Sequence, residues 1–253
     1  MAPVAEQKQE RGGAVTASPR SSRIRGVDTL RGMCVVLMTL FHFSYDLYFY
    51  CGFPLTVIAN PFMTFAQFAS SRGFILLAGF SCCLSRSNGK RGARVLACGL
   101  VIGLVTRLWG DPIRFGILHF LGCAMLLYAL TRPLWERLPR WAAPVLYIAL
   151  FAVLRQVLPA GTGVGWLYPL GFLPAGFYSS DYWPLLPWFF LFLLGTWLGG
   201  LRERLPDWLR NLRVPVLNWL GRHSLAVYLV HQPVLVVLSL ALAFLTGHTF
   251  SVG

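Results

Sequence analysis

The sequence predicts an all-α membrane protein: a polytopic bundle of about seven transmembrane helices with a cytoplasmic N-terminus. Of its 253 residues, 56% are hydrophobic and 12% are charged, whereas about 25% of residues are charged in an average soluble domain. Apolar runs of nearly membrane-spanning length recur along the chain. Lysine and arginine gather in the polar segments between these runs, which is typical of topology signals.

Seven apolar runs account for the predicted spans. They cover residues 32–52, 62–84, 93–109, 115–130, 141–158, 188–201 and 224–245. Several are shorter than the roughly 20 residues that a span usually needs, so flanking aromatic residues and arginine stems are expected to extend them. We assign residues 23–246 to one transmembrane domain, residues 1–22 to a disordered cytoplasmic tail and residues 247–253 to a short C-terminal tail.

The distribution of basic residues predicts the orientation. If the spans alternate, the N-terminal segment through Arg31 and the segments around residues 86–94, 132–140 and 202–213 share one side and carry seventeen lysines and arginines. The opposite side receives only Arg107, Arg114 and Arg155. The N-terminus is therefore expected inside the cell. The net charge of +13 reflects these anchors rather than nucleic-acid binding, and the six cysteines show no metal-ligand spacing.

The first span carries four ionisable residues on one face. Arg31 and His42 are eleven positions apart, which is three helical turns, so they return to nearly the same side. Asp28 lies three positions before Arg31 and Asp46 four positions after His42. Ionisable groups inside a membrane must face protein or a water-filled cavity. The stripe therefore predicts a functional site.

We expect Asp46 to accept a hydrogen bond from His42, fixing its tautomer and raising its basicity. Such a pair suits a catalytic histidine that works as a general base or accepts an acyl group itself. Arg31 would meet an anion at the cytoplasmic mouth. The structural alternative is that Arg31 anchors the helix and His42 hydrogen-bonds to a neighbouring helix.

Other polar residues in the apolar runs extend this hypothesis. Arg72 either extends its side chain to the membrane surface or, as we favour, pairs with Asp46. Either Arg72 or His119 could steady an oxyanion, although His119 is equally compatible with a structural role. Arg222 lies at the cytoplasmic start of the last span and could bind phosphate or serve as an anchor.

Candidate acceptor-binding residues lie nearer the opposite side. Residues 159–187 are rich in Pro, Gly, Tyr and Trp, which predicts an aromatic interfacial or re-entrant segment before the sixth span. Its Asp181 is a candidate contact to a hydroxylated acceptor or else a cap or turn residue, and the aromatic Tyr182 is a second acceptor-binding candidate beside it. His231 and Gln232 precede a proline and could line the same cavity or satisfy the kink.

Four blocks resemble a known family. They are "RIRGVDTLRGMCVVLMTLFHFSYDL", "IRFGILHFLG", "GFYSSDYWPLLPWF" and "LGRHSLAVYLVHQPVL". In this order they resemble the bacterial membrane proteins that share the catalytic domain of heparan-alpha-glucosaminide N-acetyltransferase. The first block also resembles the wider transmembrane acyltransferase superfamily, whose acyltransferase-three members carry an arginine, ten residues and a histidine in the first span. Arg31 and His42 match that spacing.

The resemblance implies acyl transfer across a bacterial inner membrane. Acetyl-CoA or another acyl-CoA would serve as co-substrate, without a tightly bound cofactor or metal, and a carbohydrate, glycolipid or other hydroxyl or amine acceptor would receive the group. Arg31 would contact CoA and His42 would be the catalytic histidine. Expected partners also include membrane lipids and, as one arrangement, a second copy in a homodimer. The competing hypothesis is a small-molecule or lipid transporter with a buried proton relay.

Overall fold

The computed structural model describes residues 24–85, 87–158 and 165–247. Within these ranges the chain forms nine α-helices, three short 3₁₀ turns and no strand, which confirms the all-α prediction. The predicted N-terminal tail, residues 1–22, lies outside the described residues. The helices are α1 Arg25–Cys51, α2 Pro61–Leu84, α3 Asn88–Trp109, α4 Ile117–Glu136, α5 Ala142–Val157, α6 Leu185–Gly200, α7 Asp207–Asn211, α8 Pro215–Arg222 and α9 Ser224–Thr246.

Five helices are long and apolar enough to cross a membrane: α1, α2, α3, α4 and α9. The apolar helices α5 and α6 have 16 residues each, which gives about 24 Å of helix against a hydrocarbon core of about 30 Å. The protein is therefore a multi-pass membrane protein, while seven complete spans and a cytoplasmic N-terminus stay predictions. We call the end of the bundle where α1 begins the near end and the end where α1 finishes the far end.

Helix α8 packs directly on the near half of α1. A Cβ atom added to Gly32 would lie 2.0 Å from the Leu217 carbonyl oxygen, and one added to Gly221 would lie 1.9 Å from that of Asp28. The two backbones approach this closely because both positions lack a side chain. Asn218 Nδ2 also donates to the Arg25 carbonyl oxygen at 2.8 Å. The sequence analysis treated this region only as a basic loop and missed α7 and α8.

Small residues also bring the other helices together. Gly79 and Gly195 lie at the contact between α2 and α6, where an added Cβ would lie within 2.2 Å of a facing backbone oxygen. Gly122 of α4 meets the backbone of α3 in the same way. Large side chains fill the space between α2, α4 and α6, and the fully buried ones include Ile75, Phe120, Phe192 and Leu193.

Two non-helical segments enter the bundle from the far end and lead into α4 and α6. Phe115 and Tyr182 form a parallel bridge, and the Trp183 N–H donates to the Phe115 carbonyl oxygen at 2.9 Å. His119, in the first turn of α4, packs beside Gly103, six residues before α3 ends. This offset places the first turn of α4 about 9 Å closer to the near end than the last residue of α3. The predicted aromatic segment thus lies against the helices it precedes.

The glycine contact between α1 and α8 yields a stability prediction. Gly32→Val places a side chain against the Leu217 carbonyl group and should cost about 2 kcal/mol, which lowers the melting temperature by roughly 4–8 °C. Gly200→Val is the matched control, because nothing lies within 4 Å of a Cβ added there. Thermal unfolding of the purified protein in detergent measures both, and equal melting temperatures would contradict the backbone contact.

Candidate functional site

His42 lies in the far half of α1 and is partly buried. Its Nδ1 lies 2.8 Å from the Met38 carbonyl oxygen, one turn earlier. Because a carbonyl oxygen only accepts, Nδ1 carries the proton in this hydrogen bond, and Nε2 of the neutral ring keeps its lone pair. The backbone of α1 therefore holds His42 in the tautomer that a base or nucleophile needs.

A second histidine faces His42 from α9. The rings of His42 and His231 meet edge to face, with centroids 5.0 Å apart and planes at 85°. His231 Nδ1 donates to the Tyr228 carbonyl oxygen at 2.7 Å, so its Nε2 also carries the lone pair. That Nε2 is buried and has no hydrogen-bond partner within the described residues. The two rings thus form a pair of imidazoles with both Nε2 atoms unprotonated.

Asp46 holds α1 to α9 and does not hydrogen-bond to His42. Its carboxylate is 1% exposed and accepts from Gln232 Nε2 at 3.0 Å and 3.3 Å. The predicted His42–Asp46 hydrogen bond is therefore wrong: the Met38 carbonyl group orients the imidazole instead. The Gln232 Oε1 atom is buried without a partner among the described residues, so a second unused acceptor lies next in sequence to His231.

Asp181 caps a helix instead of offering its carboxylate to a ligand. Its Oδ2 accepts from the Ile117 N–H at the start of α4, at 2.9 Å, and its Oδ1 accepts from Trp183 Nε1 at 2.6 Å. Burial raises the pKa of Asp181, while these two hydrogen bonds oppose the rise. The carboxylate is therefore engaged at the start of α4.

Tyr182 is similarly engaged within the protein. Its hydroxyl donates to the Tyr168 carbonyl oxygen at 2.6 Å, and its ring meets Phe177 at 5.0 Å. Both acceptor-binding candidates of the aromatic segment therefore use their polar groups to shape that segment. For Asp181, the structure shows the capping role that the sequence left open beside acceptor binding.

Arg72 and His119 lie apart from the predicted oxyanion position. The predicted Arg72–Asp46 pair is wrong, because the Arg72 guanidinium lies 3.9 Å from the ring centroid of Phe68 and 5.1 Å from that of Trp188. His119 is buried between α3 and α4, beside Gly103 and with its ring 5.8 Å from that of Phe115. Within the described residues no hydrogen bond or ring contact joins either side chain to His42 or Asp46.

The two predicted CoA-binding arginines both lie at the near end. Arg31 pairs with Asp28 at 3.4 Å and also donates to Ser81 of α2. Arg222 ends α8 and is exposed; its neighbour Gly221 packs on α1 between Asp28 and Gly32. The α1–α8 contact thus brings Arg222 to the part of α1 that carries Arg31. Sequence analysis missed Ser81, because a serine in an apolar run carries no distinctive signal.

Comparison with known proteins agrees with this architecture. No curated protein matches the sequence. No solved structure matches it either. Residues 23–233 match the family described as heparan-alpha-glucosaminide N-acetyltransferase, catalytic. That range contains both histidines of the pair, Arg31, Arg222 and the aromatic segment before α6. Because the match covers most of the chain, the protein belongs to the heparan-alpha-glucosaminide N-acetyltransferase catalytic-domain family.

Proposed function

We propose that this membrane acetyltransferase moves an acetyl group from acetyl-CoA to a hydroxyl or amine of a sugar or glycolipid acceptor, with His42 as the general base. The observation that carries the proposal is the His42–His231 pair, in which both Nδ1 atoms are bound to backbone carbonyl groups and both Nε2 lone pairs are free. Membership of the acetyltransferase family supports the reaction class.

The reaction needs one base that later acts as an acid. His42 Nε2 removes a proton from the acceptor as its oxygen or nitrogen attacks the thioester carbonyl carbon. The tetrahedral intermediate then breaks its carbon–sulfur bond, and the CoA thiolate takes the proton back from the imidazolium. The products are the acetylated acceptor and the free thiol. The bundle limits water at this position, which limits hydrolysis of the thioester.

The unused acceptor atoms beside His42 suit a donor-rich ligand. His231 Nε2 and Gln232 Oε1 are both buried without partners among the described residues, and buried acceptors without a donor are costly. Hydroxyl and amino groups of a sugar supply O–H and N–H donors at close spacing. We therefore place the acceptor against His231 and Gln232, with Asp181 and Tyr182 shaping the wall behind it.

The acyl donor is expected at the near end. Arg31 and Arg222 both lie at that end, and guanidinium groups bind phosphate with charge-assisted hydrogen bonds. The CoA phosphates would bind among these residues and the pantetheine arm would extend along α1 toward His42. This direction agrees with a cytoplasmic near end in the plasma membrane of a bacterium, because acetyl-CoA is made inside the cell.

Removing the base should abolish transfer while leaving the fold intact. In His42→Gln the side chain keeps its size and polarity but cannot take a proton, so the turnover rate should fall by about 10²–10⁴-fold. Release of CoA thiol with amino sugars as acceptors measures it. The matched control is His223→Gln, whose exposed ring bonds only to its own helix. Transfer retained in folded His42→Gln protein would exclude His42 as the base.

Direct transfer and an acetyl-histidine intermediate differ in a measurable way. Acetyl-CoA labelled in its acetyl group is incubated with the wild-type protein in the absence of acceptor, and the protein is then analysed by intact mass. We expect no added acetyl group, because a general base does not bond to the acyl carbon. An acetyl adduct on the wild type that disappears in His42→Gln would instead show covalent catalysis.

Gln232 should affect the acceptor and not the donor. Gln232→Met keeps the length of the side chain but removes the amide, so Asp46 loses its hydrogen-bond donor and the acceptor loses one contact. We expect the KM for the amino sugar to rise roughly tenfold, with the KM for acetyl-CoA unchanged. A rise in the KM for acetyl-CoA alone would place Gln232 on the donor side.

A further inference from the structure

Two arginines away from the histidine pair flank one tryptophan. The Arg72 guanidinium of α2 lies 5.1 Å from the ring centroid of Trp188, and that of Arg155 in the last turn of α5 lies 5.7 Å from it. Trp188 stands in the first turn of α6 and also meets Trp183, with ring centroids 4.7 Å apart. Three helices thus hold two like charges at a single aromatic ring.

No carboxylate among the described residues pairs with either guanidinium. The three ion pairs found in the part of the chain that the structure describes join Arg31 to Asp28, Arg132 to Glu136 and Arg202 to Glu203. The sequence after Arg155, residues 159–164, reads PAGTGV and contains no acidic residue. The ring faces attract each guanidinium, but they do not cancel two positive charges. Two adjacent guanidinium groups of this kind suit an anion from outside the chain.

The position of the pair selects a lipid as the source of that anion. Arg72 reaches back one turn toward the far end to contact Phe68, and Arg155 is exposed. Helices α5 and α6 give only about 24 Å of apolar length at this edge, so the bilayer is expected to thin there. Thinning brings headgroup phosphates down to the level of the two guanidinium groups.

We propose that Arg72 and Arg155 bind the phosphate of an anionic phospholipid at the far-end leaflet. The two guanidinium groups supply the charge that a phosphate needs. This site is separate from the His42–His231 pair and does not depend on the proposed acetyl transfer.

Native mass spectrometry of the purified protein with added phosphatidylglycerol tests the site. The wild type should bind phosphatidylglycerol at least fivefold more than phosphatidylcholine, and Arg72→Gln/Arg155→Gln should lose this preference. The control is Arg107→Gln/Arg137→Gln, which removes the same two positive charges from exposed positions elsewhere. This control should bind phosphatidylglycerol as the wild type does. Equal phosphatidylglycerol binding by the two double variants would overturn the proposal.

A second variant keeps the test independent of folding defects. Arg155→Glu supplies the carboxylate that the site lacks, so it should pair with Arg72, abolish the phosphatidylglycerol preference and leave the melting temperature equal or higher. A preference that survives in Arg155→Glu would overturn the proposal. Inorganic phosphate at millimolar concentration should not displace the lipid, and displacement would show a site for soluble anions instead. None of these measurements requires acetyl transfer, so they succeed or fail independently of it.

Discussion

The hydrogen bond between Asp46 and Gln232 is the interaction on which the site depends. A carboxylate in the far half of a membrane helix must be satisfied by protein, because lipid offers no donor. Gln232 meets that need from α9, and in doing so it fixes the position of its neighbour His231. The edge-to-face contact of His231 with His42 follows from this join between α1 and α9.

Other elements of the fold also surround α1 at its two ends. At the near end, Gly32 and Gly221 let α8 approach the backbone of α1, which brings Arg222 toward Arg31. At the far end, Asp181 caps α4. The polar face of α1 is therefore covered by α2, α8 and α9 along its length, with a basic end and a histidine end. That polarity suits a donor that enters at one end and an acceptor that is held at the other.

The arginines illustrate two ways of stabilising charge in a membrane protein. Arg31 has a carboxylate and a hydroxyl as partners, and its side chain is mostly enclosed. Arg72 and Arg155 have aromatic faces but no carboxylate in the described part of the chain, which leaves net positive charge at the lipid boundary. Our proposal of a bound anionic lipid follows from that difference.

Sequence periodicity alone determined the helical class, the multi-pass character and the polar face of α1, because each depends only on local spacing along one helix. The sequence also identified His42, His231 and Gln232 as candidate site residues. Only the tertiary structure decided the partners: Asp46 bonds to Gln232, Asp181 caps α4, and Arg72 contacts Trp188. Each partner lies on another helix or loop more than a hundred residues away in the sequence, or 64 residues away for the α4 cap. Spacing within one helix carries no information about such contacts.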